Sequence, residues 1–518
     1  MSDFQQSREA AGIGPSGTWE RPDSVQNLQL RMLIAAWLVV MVAASGFAIG
    51  LVVGVRGEDV KMLALALATF AVGCIPLVLD QGRPPRARHV MLAIVSLVFM
   101  MHFVVPALML YLPAVGPIDA SSTSFTNLMP PDVVYGQLLA LLGLVSLQTG
   151  YAIPVGRLVA SRIPAPQADW SPTTCLAVAI GFLAVGWLFS FAGLLGILPS
   201  TLGSGVTGVF ATGRNYANVL LAYVYLRYRS NTAALLIGMN VVALLLLGLL
   251  TSDKLDALIG LAIVVLTSML LTKRIRTRWV VLGFVAVIVI YPASEFVRRD
   301  LLSGASAAEL VMNPGYTLGM IGSFAASGEI SDYLETGFEA TAHRIDGLGI
   351  ASVIIRDTPG VSPFQNGRTL GLFFVSFIPR ILWPGKPNIN IGQWITDVYG
   401  SGPHITSNTA PTPIGEFYLN FGVAGIVFGL MFLGIVLRLA HETLSQRGAT
   451  APSILAQSVI VVIFGIQFAG SVAGVYSQVA FTLVPLLLLN IAIRTFTRMV
   501  PHGGPPVGSG AKAPWIAE

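Results

Sequence analysis

Apolar residues occupy this chain in long, nearly unbroken blocks, with short polar connections between them. A block must reach about 20 residues to cross about 30 Å of hydrocarbon at about 1.5 Å per residue. By that measure the pattern predicts spans at 30–55, 60–79, 90–112, 132–153, 174–197, 213–228, 232–250, 255–272, 279–296, 414–437, 453–473 and 476–495. The expected fold is an all-α polytopic membrane protein of 12 transmembrane helices, nine before and three after a large, partly helical outer loop at 297–413. Residues 1–29 are rich in Gly, Ser, Gln and Pro and hold too little apolar surface to offset chain entropy, so a disordered tail is expected there, with a second at 497–518. The first apolar run is too long for a signal peptide and no small-residue cleavage site follows it, so it is expected to remain a span.

Loop charges test the span count, because Lys and Arg favour cytoplasmic connections. One set of connections holds Arg83, Arg86 and Arg88; Arg157 and Arg162; Arg227 and Arg229; Lys273, Arg274, Arg276 and Arg278; Arg438 and Arg447; and Arg494 and Arg498. The intervening short connections hold only Arg56 and Lys61, then none at 113–131, then Arg214 and Lys254. The alternation predicts cytoplasmic termini and a loop outside the cytoplasmic membrane. The sixth span, GRNYANVLLAYVYLRY, is short, and its Arg214 is expected either to face a polar cavity or to snorkel to the headgroups.

Within the outer loop, Glu335, Glu339, His343 and Asp346 recur at helical spacing, which predicts one amphipathic helix over 335–356. Segment 369–382 is apolar, interrupted by Pro379 and too short to span, so a re-entrant or interfacial element is expected.

Composition agrees with this picture. The chain is 54% hydrophobic and 11% charged, where soluble domains average about 25% charged, and its mean hydropathy is +0.75. A net charge of +5 would suggest nucleic acid in a soluble protein, but here the basic residues sit in loops between spans, so a bilayer and no nucleic acid is expected. The two cysteines, Cys74 and Cys175, support neither a disulfide framework nor a metal cluster, and no cofactor is expected. No P-loop, HExxH or nucleophile elbow occurs. The two halves show no repeat of the kind used by alternating-access transporters.

The outer face collects Arg214, Lys254, Arg298, Arg299, Arg344, Arg356, Arg368, Arg380 and Lys386 on the side that topology rules deplete of cations. Arg forks and Lys point charges suit a lipid-linked phosphate or diphosphate, and pairing with nearby acids such as Glu295 and Asp300 is the competing explanation. Glu416, at the mouth of the tenth span, is read either as a capping carboxylate or as a general base. His404 and His343 are the outer-face histidines able to take a proton near neutral pH.

A basic helix end (Arg298, Arg299), then AHRIDGL, then Gly-Arg-Thr leading into FIPRILWPGKP, then PIGEFYLNFGVAGIVFG together resemble the Wzy-type oligosaccharide repeat-unit polymerases of O-antigen and exopolysaccharide synthesis. The likeness covers about a quarter of the chain and is otherwise topological. Arg344, Arg380, Lys386 and Glu416 fall on matching positions; where many relatives carry Arg in a short outer loop, LLTSDKLDALIG offers Lys254. The resemblance implies a glycosyltransferase that moves a growing glycan from undecaprenyl diphosphate onto a lipid-linked acceptor repeat unit, alongside a flippase and a chain-length regulator. It implies cations for the departing diphosphate (Arg380 and Lys386, with Arg344, Arg298, Arg299, Arg214, Lys254 and Arg368) and a base for the acceptor hydroxyl, Glu416 first and His404 next. Trp383, Trp394, Tyr399 and Tyr418 are the aromatics available to stack on sugars, or to form an interfacial belt. The rival expectations are an O-antigen ligase and, from a different class, a lipid-linked oligosaccharide flippase or exporter.

Overall fold

Backbone N–H and C=O groups in an apolar medium must pair with one another, which is why the long apolar runs coil into helices. The computed structural model describes residues 57–81, 88–112, 128–163, 169–197, 208–251, 254–275, 341–378, 385–400, 409–445 and 449–499, with Leu382, Trp383 and single positions between 281 and 322. No strand occurs among them. The helices are α1 (Gly57–Gln81), α2 (Val90–Met109), α3 (Pro130–Ala152), α4 (Val155–Ala160), α5 (Pro172–Leu194), α6 (Gly213–Tyr228), α7 (Asn231–Leu250), α8 (Lys254–Thr272), α9 (Gly347–Asp357), α10 (Arg368–Ser376), α11 (Gly392–Tyr399), α12 (Thr412–Ser445), α13 (Ala451–Val461) and α14 (Ser477–Met499). A π-helical turn, Val462–Ile466, extends α13, and another, Val472–Tyr476, leads into α14.

Seven helical segments among the described residues are long and apolar enough to cross a membrane: Gly57–Asp80, Val90–Met109, Pro130–Ala160, Pro172–Leu194, Asn231–Leu249, Thr412–Ser445 and Val472–Thr495. Leu258–Thr272 and Ala451–Gly465 are shorter apolar helices. The chain is a helical membrane protein, and Leu188, Leu235, Met239, Phe428, Phe432 and Leu488 point outward from its helices as lipid-facing side chains do. Of the twelve expected spans, 30–55 lies outside the described residues and 279–296 lies largely outside them; 213–228 forms α6 without being among the seven.

The most extensive helix pairing is α3 against α12. A Cβ on Gly150 would collide with the carbonyl of Met431, and one on Gly434 with the carbonyl of Leu147, so the two backbones touch where neither carries a side chain. Lipid tails give helices no hydrophobic reason to associate, and such close backbone packing replaces it. Polar side chains add interhelical bonds: Gln137 Nε2 donates to Thr69 Oγ1 at 2.9 Å and Gln148 Nε2 to the Val72 carbonyl at 2.8 Å, tying α3 to α1. Bonds of this kind contribute about 0.6 kcal/mol each in membranes.

The bundle has two distinct ends. At one, Arg88 donates to the Lys273 carbonyl, Arg438 lies over the Tyr151 ring, and Asp169 meets Arg227 and the Ala451 amide. These are members of the basic loops that the charge alternation groups together. At the other end, α9 packs against α2, α3 and the start of α12. Leu348, Ala351 and Ile355 of α9 belong to the main core, so this loop helix is built into the bundle.

The single helix expected over 335–356 is corrected here. A helical turn at 341–344 stops at Ile345, and α9 begins anew at Gly347 with Asp346 as its cap, so His343 and Asp346 share no helical face. Asp-Gly is a turn and cap signal that overrides the spacing. Glu335 and Glu339 lie outside the described residues. No group of His, Cys, Asp and Glu suited to a metal occurs among those described.

Candidate functional site

The first turn of α12 sets the site. The Thr412 amide donates to the Ala469 carbonyl at 2.9 Å and its hydroxyl accepts from the Gly415 amide at 3.3 Å. This fixes the helix start against the tip of the α13–α14 hairpin. One turn on, Glu416 is fully buried, and its Oε2 accepts a 2.6 Å hydrogen bond from the Val472 amide. Both sequence-level roles for Glu416 placed it at its own helix N-terminus. The capping it performs is at another helix, the one that begins at Val472, where exposed amides favour an anion. The Thr369 side chain, whose Oγ1 accepts from Asn420, also meets the carboxyl.

One further turn along, Asn420 Nδ2 donates to the Glu416 carbonyl and to Thr369 Oγ1, while its Oδ1 accepts from the Gly367 amide at 2.9 Å. The helix then breaks: Gly422 has φ 63° and ψ −148°, a region open essentially to glycine alone. The carbonyls of Leu419 and Asn420, which the break deprives of helical partners, accept instead from the amides of Gln365 and Asn366 at 2.9 and 3.2 Å. The loop 365–367 is therefore docked into α12, and irregular backbone at this depth is tolerated because protein satisfies it.

That docking positions α10. Arg368 opens the helix and is exposed, and the next residue, Thr369, reaches Asn420. Lys386 is buried at the opposite end, where its ammonium donates to the carbonyls of Ser376 and Ile378, each at 2.8 Å. A cation there completes the C-terminus of α10. Seven residues separate Thr369 from Ser376, roughly 10 Å of helix, so Lys386 and Glu416 bracket α10 without meeting. The outer surface of this element is apolar: Phe374, Leu382 and Trp383 are exposed, and Phe377 packs on Phe481 of α14 at 5.2 Å between ring centroids.

The remaining expected residues divide clearly. Tyr418 is half-buried beside Phe364, close to the Glu416 turn. Tyr399 is buried in a small core with Ile391, Ile395 and Leu419, and its hydroxyl pairs with Thr358 at 2.8 Å, so no face of it is open to a sugar; Trp394 packs edge-on against it. Arg214 is buried in α6, donating to Ser190 Oγ at 2.6 Å over the Trp187 ring. It shares the Glu416 end of the bundle, since Arg227 of the same helix lies at the basic end. Arg344 is exposed, and Arg356 pairs with Asp357. Arg298, Arg299, Arg380 and His404 lie outside the described residues, as does the side chain of Lys254.

The sequence reading passed over Thr369, Asn420, Val472 and Tyr476. Asn420 had a signal, its i, i+4 spacing from Glu416. Val472 had none, because it arrives from 56 residues further along the chain.

Over residues 84–449 the chain matches the family described as a domain of unknown function, DUF8712. Neither a curated protein nor a solved structure matches it.

Proposed function

We propose that this chain, which belongs to the DUF8712 family, is a polysaccharide repeat-unit polymerase of the bacterial inner membrane. Its termini are cytoplasmic and its large loop periplasmic in this reading. The donor is a growing glycan on undecaprenyl diphosphate and the acceptor a lipid-linked repeat unit. The observation that carries the reading is Glu416, a fully buried carboxyl held by the Val472 amide and the Thr369 side chain, beside an exposed apolar element suited to lipid. In the reaction, Glu416 takes the proton of the acceptor hydroxyl as its oxygen bonds to the donor's anomeric carbon; the bond from that carbon to the diphosphate oxygen breaks, and undecaprenyl diphosphate leaves with the electron pair. Arg368 and Arg380 are assigned to the leaving diphosphate, with His404 the alternative base. Lys386 acts through α10, whose end it caps.

Glycans from a deletion strain test this directly. Loss of a polymerase leaves single repeats on the normal acceptor. Long chains retained on undecaprenyl diphosphate would point to a ligase, and repeats trapped inside to a flippase; either pattern overturns the proposal. Complementation with Glu416→Gln is expected to lower chain extension by about a hundredfold or more, the usual contribution of a general base, at unchanged membrane abundance. Normal extension by that variant removes Glu416 from the mechanism.

A further inference from the structure

Helix α3 ends because Pro154 has no amide to continue it and holds Ile153 extended, at φ −61° and ψ 136°. α4 starts afresh at Val155, and Arg162 and Ile163 carry it one turn further, their amides donating to the Val159 and Ala160 carbonyls at 3.0 and 3.1 Å. At about 100° per residue, α4 and its cap Ser161 sort into three arcs. Gly156 and Ala160 are buried, and a Cβ on Gly156 would meet the Ile435 carbonyl and the stem of Arg438, so this arc lies against α12 at the basic end of the bundle. Val155, Leu158 and Val159 form a second arc, 44%, 61% and 42% exposed, and Ile163 is exposed beyond them. Arg157 and Ser161 form the third, also exposed, as is Arg162. At this same end Arg438 is held by Glu442, Arg227 by Asp169 and Arg88 by the Lys273 carbonyl. The side chains of Arg157 and Arg162 pair with no described residue, and no acid occurs in the chain between Asp132 and Asp169. Water does not suit the apolar arc and hydrocarbon does not suit two guanidiniums. The boundary between them suits both.

We propose that α4 and the turn after it are an interfacial docking element for anionic phospholipid. The apolar arc enters the acyl boundary, and Arg157 and Arg162 reach headgroup phosphates, whose oxygens a guanidinium fork matches. Glu442 on the neighbouring helix is taken by Arg438, so the two arginines keep their charge for the headgroup. A net negative headgroup is therefore favoured over a zwitterionic one, by about fivefold for each arginine near the surface. The element stands at the opposite end of α12 from Glu416, and nothing in it rests on the polymerase reading.

The test titrates the detergent-purified full chain with phosphatidylglycerol and, separately, with phosphatidylcholine of the same acyl chains, and counts bound lipids by native mass spectrometry. The wild type is expected to retain phosphatidylglycerol about fivefold or more over phosphatidylcholine. The double variant Arg157→Gln/Arg162→Gln should bring the two lipids to the same level, whereas Arg274→Gln, which removes another exposed arginine of the segment after α8, should leave the preference unchanged. All three side chains are exposed, so helicity and thermal unfolding should match the wild type. Equal retention of the two lipids by the wild type overturns the inference and leaves α4 to solvent or to a protein partner. A preference that survives in the double variant overturns it as well. An equal loss in Arg274→Gln also overturns it, because the effect then belongs to the charge of the whole basic end.

Discussion

Asp346 shows how much a single loop carboxyl can organise. Its Oδ1 accepts from the Gly349 amide at 2.7 Å, capping α9, and its Oδ2 accepts from the Tyr111 hydroxyl at 2.6 Å, tying the cap to the end of α2. Burial outweighs these bonds and lifts its pKa from 3.8 to about 6, while burial and the facing carboxylate keep Tyr111 protonated. The native state therefore holds more protons than the unfolded chain between those two values. Stability from this group is fully present below 3.8 and is lost as pH rises through about 6. Asp346→Asn keeps the cap through its one amide oxygen, turns an N–H donor toward the Tyr111 oxygen in place of the acceptor, and cannot ionise. Thermal unfolding in detergent should show the wild type losing stability relative to Asp346→Asn across that window, and parallel curves would remove the shift. Glu416, a few residues into α12, is held in a similar way, by the Val472 amide and the Thr369 side chain, both from other parts of the chain.

Among elements, the α3–α12 pair has the least room for change. The Gly150 and Gly434 contacts are with backbone carbonyls, which cannot move aside as a flexible side chain would. Gly434→Leu should lower stability by about 1–3 kcal/mol or more, the range for overpacking a fitted core. Gly238→Ala on α7 is the control, since nothing lies within 4 Å of its added Cβ. Equal unfolding temperatures for the two variants would show that the helices separate freely. Elements also mark how far the sequence can be read. Helices α1, α2, α3, α5 and α7 follow from apolar length alone, and the hairpin follows as the spans 453–473 and 476–495, with its tip found at 467–471. The break in α12 was visible only as letters in a resemblance, Asn-Phe-Gly; its cause is that Gly422 alone permits the turn and Asn420 holds the loop against it. Neither Glu416's partner nor α9's burial could be read, because both depend on segments brought together from distant parts of the chain.

For the whole molecule, the two ends of the bundle give a test of topology that needs no assumption about which side is which. Gly360 follows α9 at the Glu416 end, and Ala449 lies at the basic end beside Arg227. Reporter fusions at these two positions should register opposite compartments, with residue 360 periplasmic if the polymerase reading holds. The same compartment for both would break the bundle described here.

Order of synthesis gives the hairpin tip another meaning. Residues 365–367 leave the ribosome before Leu419 and Asn420, so the donors for the break in α12 are already made when the break forms. Val472 comes later. Until residue 472 is made, Glu416 Oε2 lacks this amide, and a buried group without its partner costs about 1–3 kcal/mol. A product released after residue 450 therefore lacks two helices and also leaves the Glu416 carboxyl without the Val472 amide.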